Sequence, residues 1–316
     1  MIEDAPQGKT RVAALKVASQ FATKSAIAQN VETIRGLIDR AADAGAKIVV
    51  MPETAINGYA SQDLSTTWYV EGYPEDKGFR KQDPTPFAFE IVNLARLPEP
   101  LDAFAQQATK RGIYIVATFL EKAKQTSEIL KKKYGPYVFY SSSVLLKPGE
   151  GAVGHYRKMN PWLTVDKAFM TAGDRIVTYD TEYGRISFCV CFDVMAVLPL
   201  IKKHNVWAHF HSFAWVDEKA GHPLSARPAE GEEWDGNWFR AGLPGKLFDN
   251  AGGFYFVASN WSVDNKENWT GHGFESIYSP EGIVLAQDTE TIGNGFVLAD
   301  LDPPEYNPPP PFPLYE

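Results

Sequence analysis

The sequence predicts an α/β layered fold, and three patterns predict it. A strand, helix, strand succession occurs twice within residues 11–119, the strands of that region are continuous apolar runs, and from residue 137 onward strand follows strand across short turns. Runs without polar alternation belong to strands covered on both faces, and closely spaced runs belong to hairpins. Helices layered on sheets satisfy all three patterns.

The first strand is "RVAALKVASQF", after which Ser25 is expected to cap a helix whose residues Ile27, Val31, Ile34, Leu37, Ile38 and Ala41 recur at helical spacing. Gly45 stops it. "KIVVMPE" is a buried strand ending on Glu53. Residues 59–98 are aromatic and proline-rich without clear periodicity, which predicts a long loop of the kind that lines sites. Leu101, Phe104 and Ala108 mark a second helix, Gly112 ends it, and "IYIVATF" is the next buried strand.

Hairpins follow: "YVFYSSSVLL" with "AVGHYRK" across "PGEG", then "RIVTY" with "RISFCVC" across Thr181 to Gly184. "VWAHFHSFAW" is another strand, residues 232–251 are helical with a break at Pro244, and "FYFVASN", "ESIYS", "GIVLA" and "GFVLADL" are the last strands. No linker divides the chain. The expected organisation is a flexible arm over 1–10, one domain over 11–301, and a tail over 302–316 whose prolines favour an extended polyproline course, either solvated or along a neighbouring subunit.

Composition narrows the function. A net charge of -8 gives no electrostatic footprint for nucleic acid. No apolar run reaches the roughly 18 residues of a membrane span, and "MIEDAPQGKTR" lacks a secretory layout, so no membrane partner and a cytoplasmic location are expected. In that setting the sequons at Asn260 and Asn268 carry no meaning. The two cysteines, Cys189 and Cys191, would stand about 6.6 Å apart at Cα on a strand, a poor geometry for a disulfide.

Three predicted strands end on a reactive side chain: Glu53, Lys158 and Cys191. Ligands collect beyond the carboxyl ends of strands in α/β sheets. A carboxylate, an ammonium and a thiol gathered there supply a base, an oxyanion partner and a nucleophile for acyl transfer. Each alone is ordinary, since buried cysteines usually pack and single charged residues are usually solvated. Two other readings compete. His209 and His211 share a strand face and, with Asp193, suggest a metal-dependent hydrolase, although further ligands at recognisable spacing are missing. A scaffold protein would use the proline-rich tail as a ligand for partner domains.

"VVMPETAINGY", "GHYRKMNPW" and "GRISFCVCFDV", in that order, resemble the three signature segments of the nitrilase superfamily of carbon-nitrogen hydrolases. The resemblance continues through "FYFVASNW" and "GFESIYSPEG", and its look is closest to the pantetheinase (vanin) and biotinidase branch. It implies a four-layer α-β-β-α sandwich, with Glu53 as general base, Lys158 as the cation beside it and Cys191 as nucleophile. Cys189 matches no catalytic position and is expected in the core. In the mechanism these three strand ends suggest, the backbone N–H of Phe192 is expected to join Lys158 around the oxyanion. Asp166 stands where the superfamily places a second glutamate, one methylene longer, and Ser141 or Ser142 stands where many relatives carry Asn.

The "CFD" context favours amide over nitrile hydrolysis, so a small-molecule amide is the expected substrate, pantetheine-like or another secondary amide. Nitriles and ω-amides are the alternatives. Trp162, Trp207, Trp215 and Trp261 adjoin the expected centre, and Trp162 and Trp215 are the chosen pocket residues. The resemblance implies no cofactor, no metal, and assembly as a homodimer or higher homo-oligomer. Secreted members of the branch carry a signal peptide, more cysteines and a further domain, so a compact intracellular relative is expected.

Overall fold

The computed structural model describes residues 5–19, 24–58, 87–162, 166, 170–214, 216–217, 253–262, 270–271, 273–290 and 292–304. In chain order their regular elements are β1 (Thr10–Ala18), α1 (Lys24–Asp43), β2 (Ile48–Val50), α2 (Leu101–Arg111), β3 (Tyr114–Lys124), α3 (Glu128–Tyr134), β4 (Tyr137–Lys147), β5 (Gly151–Arg157), β6 (Thr178–Thr181) and β7 (Gly184–Val190). Then come α4 (Leu198–Ile201), β8 (Ala208–Ser212), β9 (Val216–Asp217), β10 (Tyr255–Ser262), β11 (Thr270–Gly271), β12 (Ser276–Tyr278), β13 (Val284–Gln287) and β14 (Gly295–Leu301).

One half of the strand system runs β14-β1-β2-β3-β4-β5. β1, β2 and β3 are parallel there, and the hairpin partners and β14 are antiparallel. The other half runs β6-β7-β8-β10-β12-β13, parallel from β7 through β10. The halves join where Lys16, Val17 and Ala18 pair with Asn260, Trp261 and Ser262.

Strand periodicity sorts the core into layers. On β1, Val12 and Ala14 belong to a cluster with Ile48, Val50, Ile186, Phe188, Val190 and Phe210, which fills the space between the two halves. The alternate residues Ala13, Leu15 and Val17 cluster with Ile34, Leu37, Ile38 and Ala41 of α1 and Leu101, Phe104 and Ala108 of α2. Each large side chain buried in this way contributes about 1.5–3 kcal/mol. The continuous apolar runs are thus strands with helices on one face and a second sheet on the other. The helix expected over 232–251 lies outside the described residues, as do the loop over 59–86, Trp215, Asn268 and the tail from 305.

Local rules explain most boundaries. Gly112 ends α2 in the left-handed region at φ 65°, its N–H capping Ala108 and Thr109 carbonyls. Arg11 reaches Asp300 with Nε at 2.7 Å and Nη2 at 2.8 Å, and the Ala44 carbonyl at 2.8 Å, tying β1 to β14 and to the end of α1. Two expectations need correction. Ser25 is not the cap, because α1 already includes Lys24. The strand expected over 175–179 is β6, displaced to Thr178–Thr181 beside the turn that pairs it with β7. The sequence reading also lacked α3, whose "EILKKKY" offers no apolar stripe to reveal it.

One glycine bears directly on the site. A Cβ added to Gly173 would lie 2.1 Å from the Arg157 carbonyl oxygen, and the Gly173 N–H donates to the Lys158 carbonyl at 2.7 Å. Gly173→Ala must push back the strand end that carries Lys158. We expect it to destabilise the protein by about 3 kcal/mol, lowering the melting temperature by roughly 5 °C or more in a thermal scan. An unchanged melting temperature would show that this approach is slack.

Candidate active site

Glu53 follows the buried strand β2 and Pro52, and its main chain is fixed from both sides. Its N–H donates to the Phe213 carbonyl at 3.0 Å, and the Trp261 indole Nε1–H donates to its carbonyl at 2.8 Å. The side chain is fully buried, and Oε1 accepts from Lys158 Nζ at 2.8 Å and from Ser141 Oγ at 2.9 Å. Strand alternation decides between the two candidate serines: Ser141 meets Glu53, whereas Ser142 donates to Glu121 at 2.6 Å.

Lys158 lies one residue beyond β5, with its N–H bonded to the Ser141 carbonyl at 2.8 Å. Its ammonium bridges Glu53 and Asp166 Oδ2. Asp166 also accepts from the Trp162 N–H at 2.9 Å, which brings the shorter carboxylate into reach of the lysine. Its other oxygen, Oδ1, is buried and has no hydrogen-bond partner among the described residues.

Cys191 begins a single 3-10 turn directly after β7 and takes a φ of 46°, in the left-handed region that non-glycine residues seldom enter. Several bonds hold that conformation. The buried Asp193 carboxylate accepts from the Val190 N–H at 3.1 Å, the Asn160 N–H at 2.7 Å and the Tyr156 hydroxyl at 2.7 Å. Asn160 Nδ2 donates to the Phe192 carbonyl at 3.1 Å, and His211 Nε2 lies 2.9 Å from the Cys191 carbonyl. Burial pushes the Asp193 carboxyl up to about 6 despite these donors.

The charged group and the thiol influence one another electrostatically. Burial raises the Cys191 thiol well above its ordinary range and Glu53 adds to that, while Lys158 and the Ala214 N–H draw it down. Burial likewise raises the Glu53 carboxyl, against the pull of Lys158. Burial opposes the Lys158 charge, yet Asp166, Cys191 and Glu53 together hold its ammonium well above the ordinary lysine range. A net negative surround therefore favours a neutral thiol at rest, and its activation requires a proton acceptor.

The remaining sequence-nominated residues separate cleanly. Cys189 is buried in the hydrophobic core. Trp162 touches the site through its N–H bond to Asp166. Trp261 is fully buried and supports Glu53, and Trp207 donates its indole N–H to the Asp302 carbonyl at 2.7 Å while packing edge-on to Tyr255. The imidazoles of His209 and His211 bond to each other at 2.9 Å, and the described residues hold no cluster with metal-ligand spacing. Sequence reasoning missed the support from Tyr156 and Asn160; a tyrosine and an asparagine flanking the "RK" pair give no signal until β5 and β7 are folded together.

No helix among the described residues is long and apolar enough to cross a membrane. The human Pantetheinase is 27% identical over 195 residues, 60% of this chain and 36% of that protein, and the Biotinidase of Mus musculus is 26% identical over 211 residues, 65% and 39%. The chain thus spans little more than a third of the length of the pantetheinases it matches. The "Probable hydrolase nit2" of Schizosaccharomyces pombe is 22% identical over 91% of both chains. Among solved structures, an amidase of the nitrilase superfamily from Nesterenkonia sp. AN1 superposes with a TM-score of 0.66 at 15% identity, covering 94% of this chain and 93% of that one. Nit3 of Saccharomyces cerevisiae gives 0.66 at 18% identity, covering 94% and 91%. The fold is therefore the α/β fold of these hydrolases. The Carbon-nitrogen hydrolase family model matches residues 11–308, and the chain belongs to that family.

Proposed function

We propose that this protein is an amidase that cleaves a non-peptide C–N bond through a thioester on Cys191. The observation that carries the reading is the buried Glu53–Lys158–Asp166 chain, in which one carboxylate oxygen and one ammonium are 2.8 Å apart and both influence the Cys191 thiol. Glu53 accepts the thiol proton as the sulfur attacks the amide carbonyl, and the carbonyl π electrons move onto oxygen. Lys158 and the Phe192 N–H stabilise that oxyanion. When the tetrahedral centre collapses the C–N bond breaks, and Glu53 returns the proton to the leaving amine. Water, deprotonated by Glu53, then adds to the thioester carbonyl, the C–S bond breaks to release the acid, and Glu53 returns the proton to the Cys191 sulfur.

The Oδ1 of Asp166, without a partner among the described residues, offers an acceptor for a substrate N–H, which favours an amide. In a mutant of the Nesterenkonia amidase the acetamide moiety of fluoroacetamide is covalently attached to the active-site cysteine, a precedent for attack by sulfur in this fold. Likeness to the pantetheinases makes a pantetheine-like secondary amide the first substrate class to test. Trp162, whose main-chain N–H donates to Asp166, is the pocket residue we propose on this side of the site. The chemistry needs a reduced thiol, which fits a cytoplasmic setting.

The test is hydrolysis of pantetheine, biotinyl amides, ω-amides and aliphatic nitriles, with intact-mass detection of an acyl adduct on Cys191. We expect amide turnover that a thiol alkylator abolishes and a chelator leaves intact. Turnover of nitriles alone would move the leaving group, and chelator-sensitive activity would transfer the chemistry away from the thiol.

A further inference from the structure

A line of hydrogen bonds runs along one face of adjacent strands and ends at the nucleophile. Ser187 and Cys189 of β7 stand in register with His209 and His211 of β8, so the four side chains share one face. Ser187 Oγ lies 2.8 Å from His209 Nδ1, His209 Nε2 lies 2.9 Å from His211 Nδ1, and His211 Nε2 lies 2.9 Å from the Cys191 carbonyl oxygen. Both histidines and Ser187 are fully buried.

The chemistry of the terminus assigns the protons. A carbonyl oxygen only accepts, so His211 Nε2 must carry hydrogen. Burial holds His211 neutral, down to about 3, and pushes His209 well below its ordinary range. His211 Nδ1 is then an acceptor, which requires hydrogen on His209 Nε2, and His209 Nδ1 accepts from the Ser187 hydroxyl. The donors all run one way, from Ser187 to Cys191. Aromatic rings fix the imidazole planes: His211 lies 4.3 Å from Phe213 and 5.3 Å from Phe256, nearly parallel to the latter.

We infer that this Ser187–His209–His211 line is a positioning device that aims the Phe192 N–H at the oxyanion. The Cys191 carbonyl and the Phe192 N–H belong to one planar trans peptide and point in opposite directions. A donor that fixes the carbonyl on one side therefore fixes the N–H on the other. The need is real because Cys191 sits at φ 46°, where the backbone gains little from its own preference. Asn160 holds the carbonyl of the following peptide, that of Phe192, so two consecutive peptides of the turn are gripped. The inference rests on the oxyanion role proposed above for the Phe192 N–H.

Two variants test it, His211→Phe, which keeps the ring and removes the donor, and His211→Gln, whose side-chain amide offers an N–H in its place. For His211→Phe we expect kcat on the best amide of the panel to fall about 10- to 100-fold with KM little changed, short of the 10²–10³ typical when an oxyanion donor is removed outright. A crystal structure should show the Cys191–Phe192 peptide rotated. His211→Gln should restore the peptide and most of kcat. Ser187→Ala, at the far end and small enough to pack, should lose about threefold in kcat and carries the test if His211→Phe fails to fold. An unrotated peptide in His211→Phe, or full kcat in Ser187→Ala, overturns the positioning role and leaves the proposed amidase standing. Absence of amide turnover by the wild-type chain instead overturns the amidase, and the peptide rotation is still read from the crystals.

Discussion

Cys191→Ala keeps the fold and loses amide turnover by a factor on the order of 10⁴ or more. The fold survives because the bonds that shape the turn belong to other groups: Asp193 holds Val190 and Asn160, and His211 meets a main-chain oxygen that alanine retains. Alanine at φ 46° is no more strained than cysteine. Activity disappears because the proposed mechanism forms its acyl intermediate on the Cys191 sulfur, and in that mechanism Lys158 and the Phe192 N–H stabilise an oxyanion only after the sulfur has attacked. The matched control is Cys189→Ala, which removes a core thiol and should leave turnover nearly intact. Amine release and thermal unfolding, measured on both variants, check the pair; undiminished turnover by Cys191→Ala ends the mechanism.

Lys158→Met has the largest expected effect on stability. The ammonium is the bridge between two buried carboxylates, so its removal leaves Glu53 and Asp166 facing one another without a counter-charge. Breaking a buried pair in this way typically costs about 3–5 kcal/mol, and activity falls with it. The deficit depends on pH in a definite direction. Burial already raises the Glu53 carboxyl, and losing the lysine raises it further. The folded variant then binds more protons than its unfolded chain, whose glutamates titrate near about 4.3. The deficit is smallest below that value and grows as pH rises through the folded carboxyl's range. Urea unfolding at pH 5 and pH 8 should find the variant closest to wild type at the lower pH; the opposite order would mean that the carboxylates find another partner.

Much of the fold was legible because strong periodicity has one cause. The α1 residues Ile34, Leu37, Ile38 and Ala41 recur at helical spacing because a sheet lies beneath them, and "IVVM" is apolar throughout because β2 is covered on both faces. The meeting of Glu53 with Lys158 was legible only as three strand ends and a family resemblance. What lay beyond the sequence was tertiary. Ser141 and Ser142 look alike until β4 sets their faces, Trp261 reads equally well as pocket wall or scaffold, and the left-handed turn at Cys191 has no glycine to announce it. The paired histidines suggested a metal because the spacing that presents two ligands on one strand face also lets one ring bond the next.

The carbonyl of Glu53 is tethered by Trp261, 208 residues later in the chain, on the strand that also clasps the end of β1. A polypeptide emerging from the ribosome amino terminus first has released its acid, its amine and its sulfur long before that indole appears. Nascent chains should therefore stay chemically silent until residue 261 has been made, when that tryptophan sets the earliest of the three groups in place.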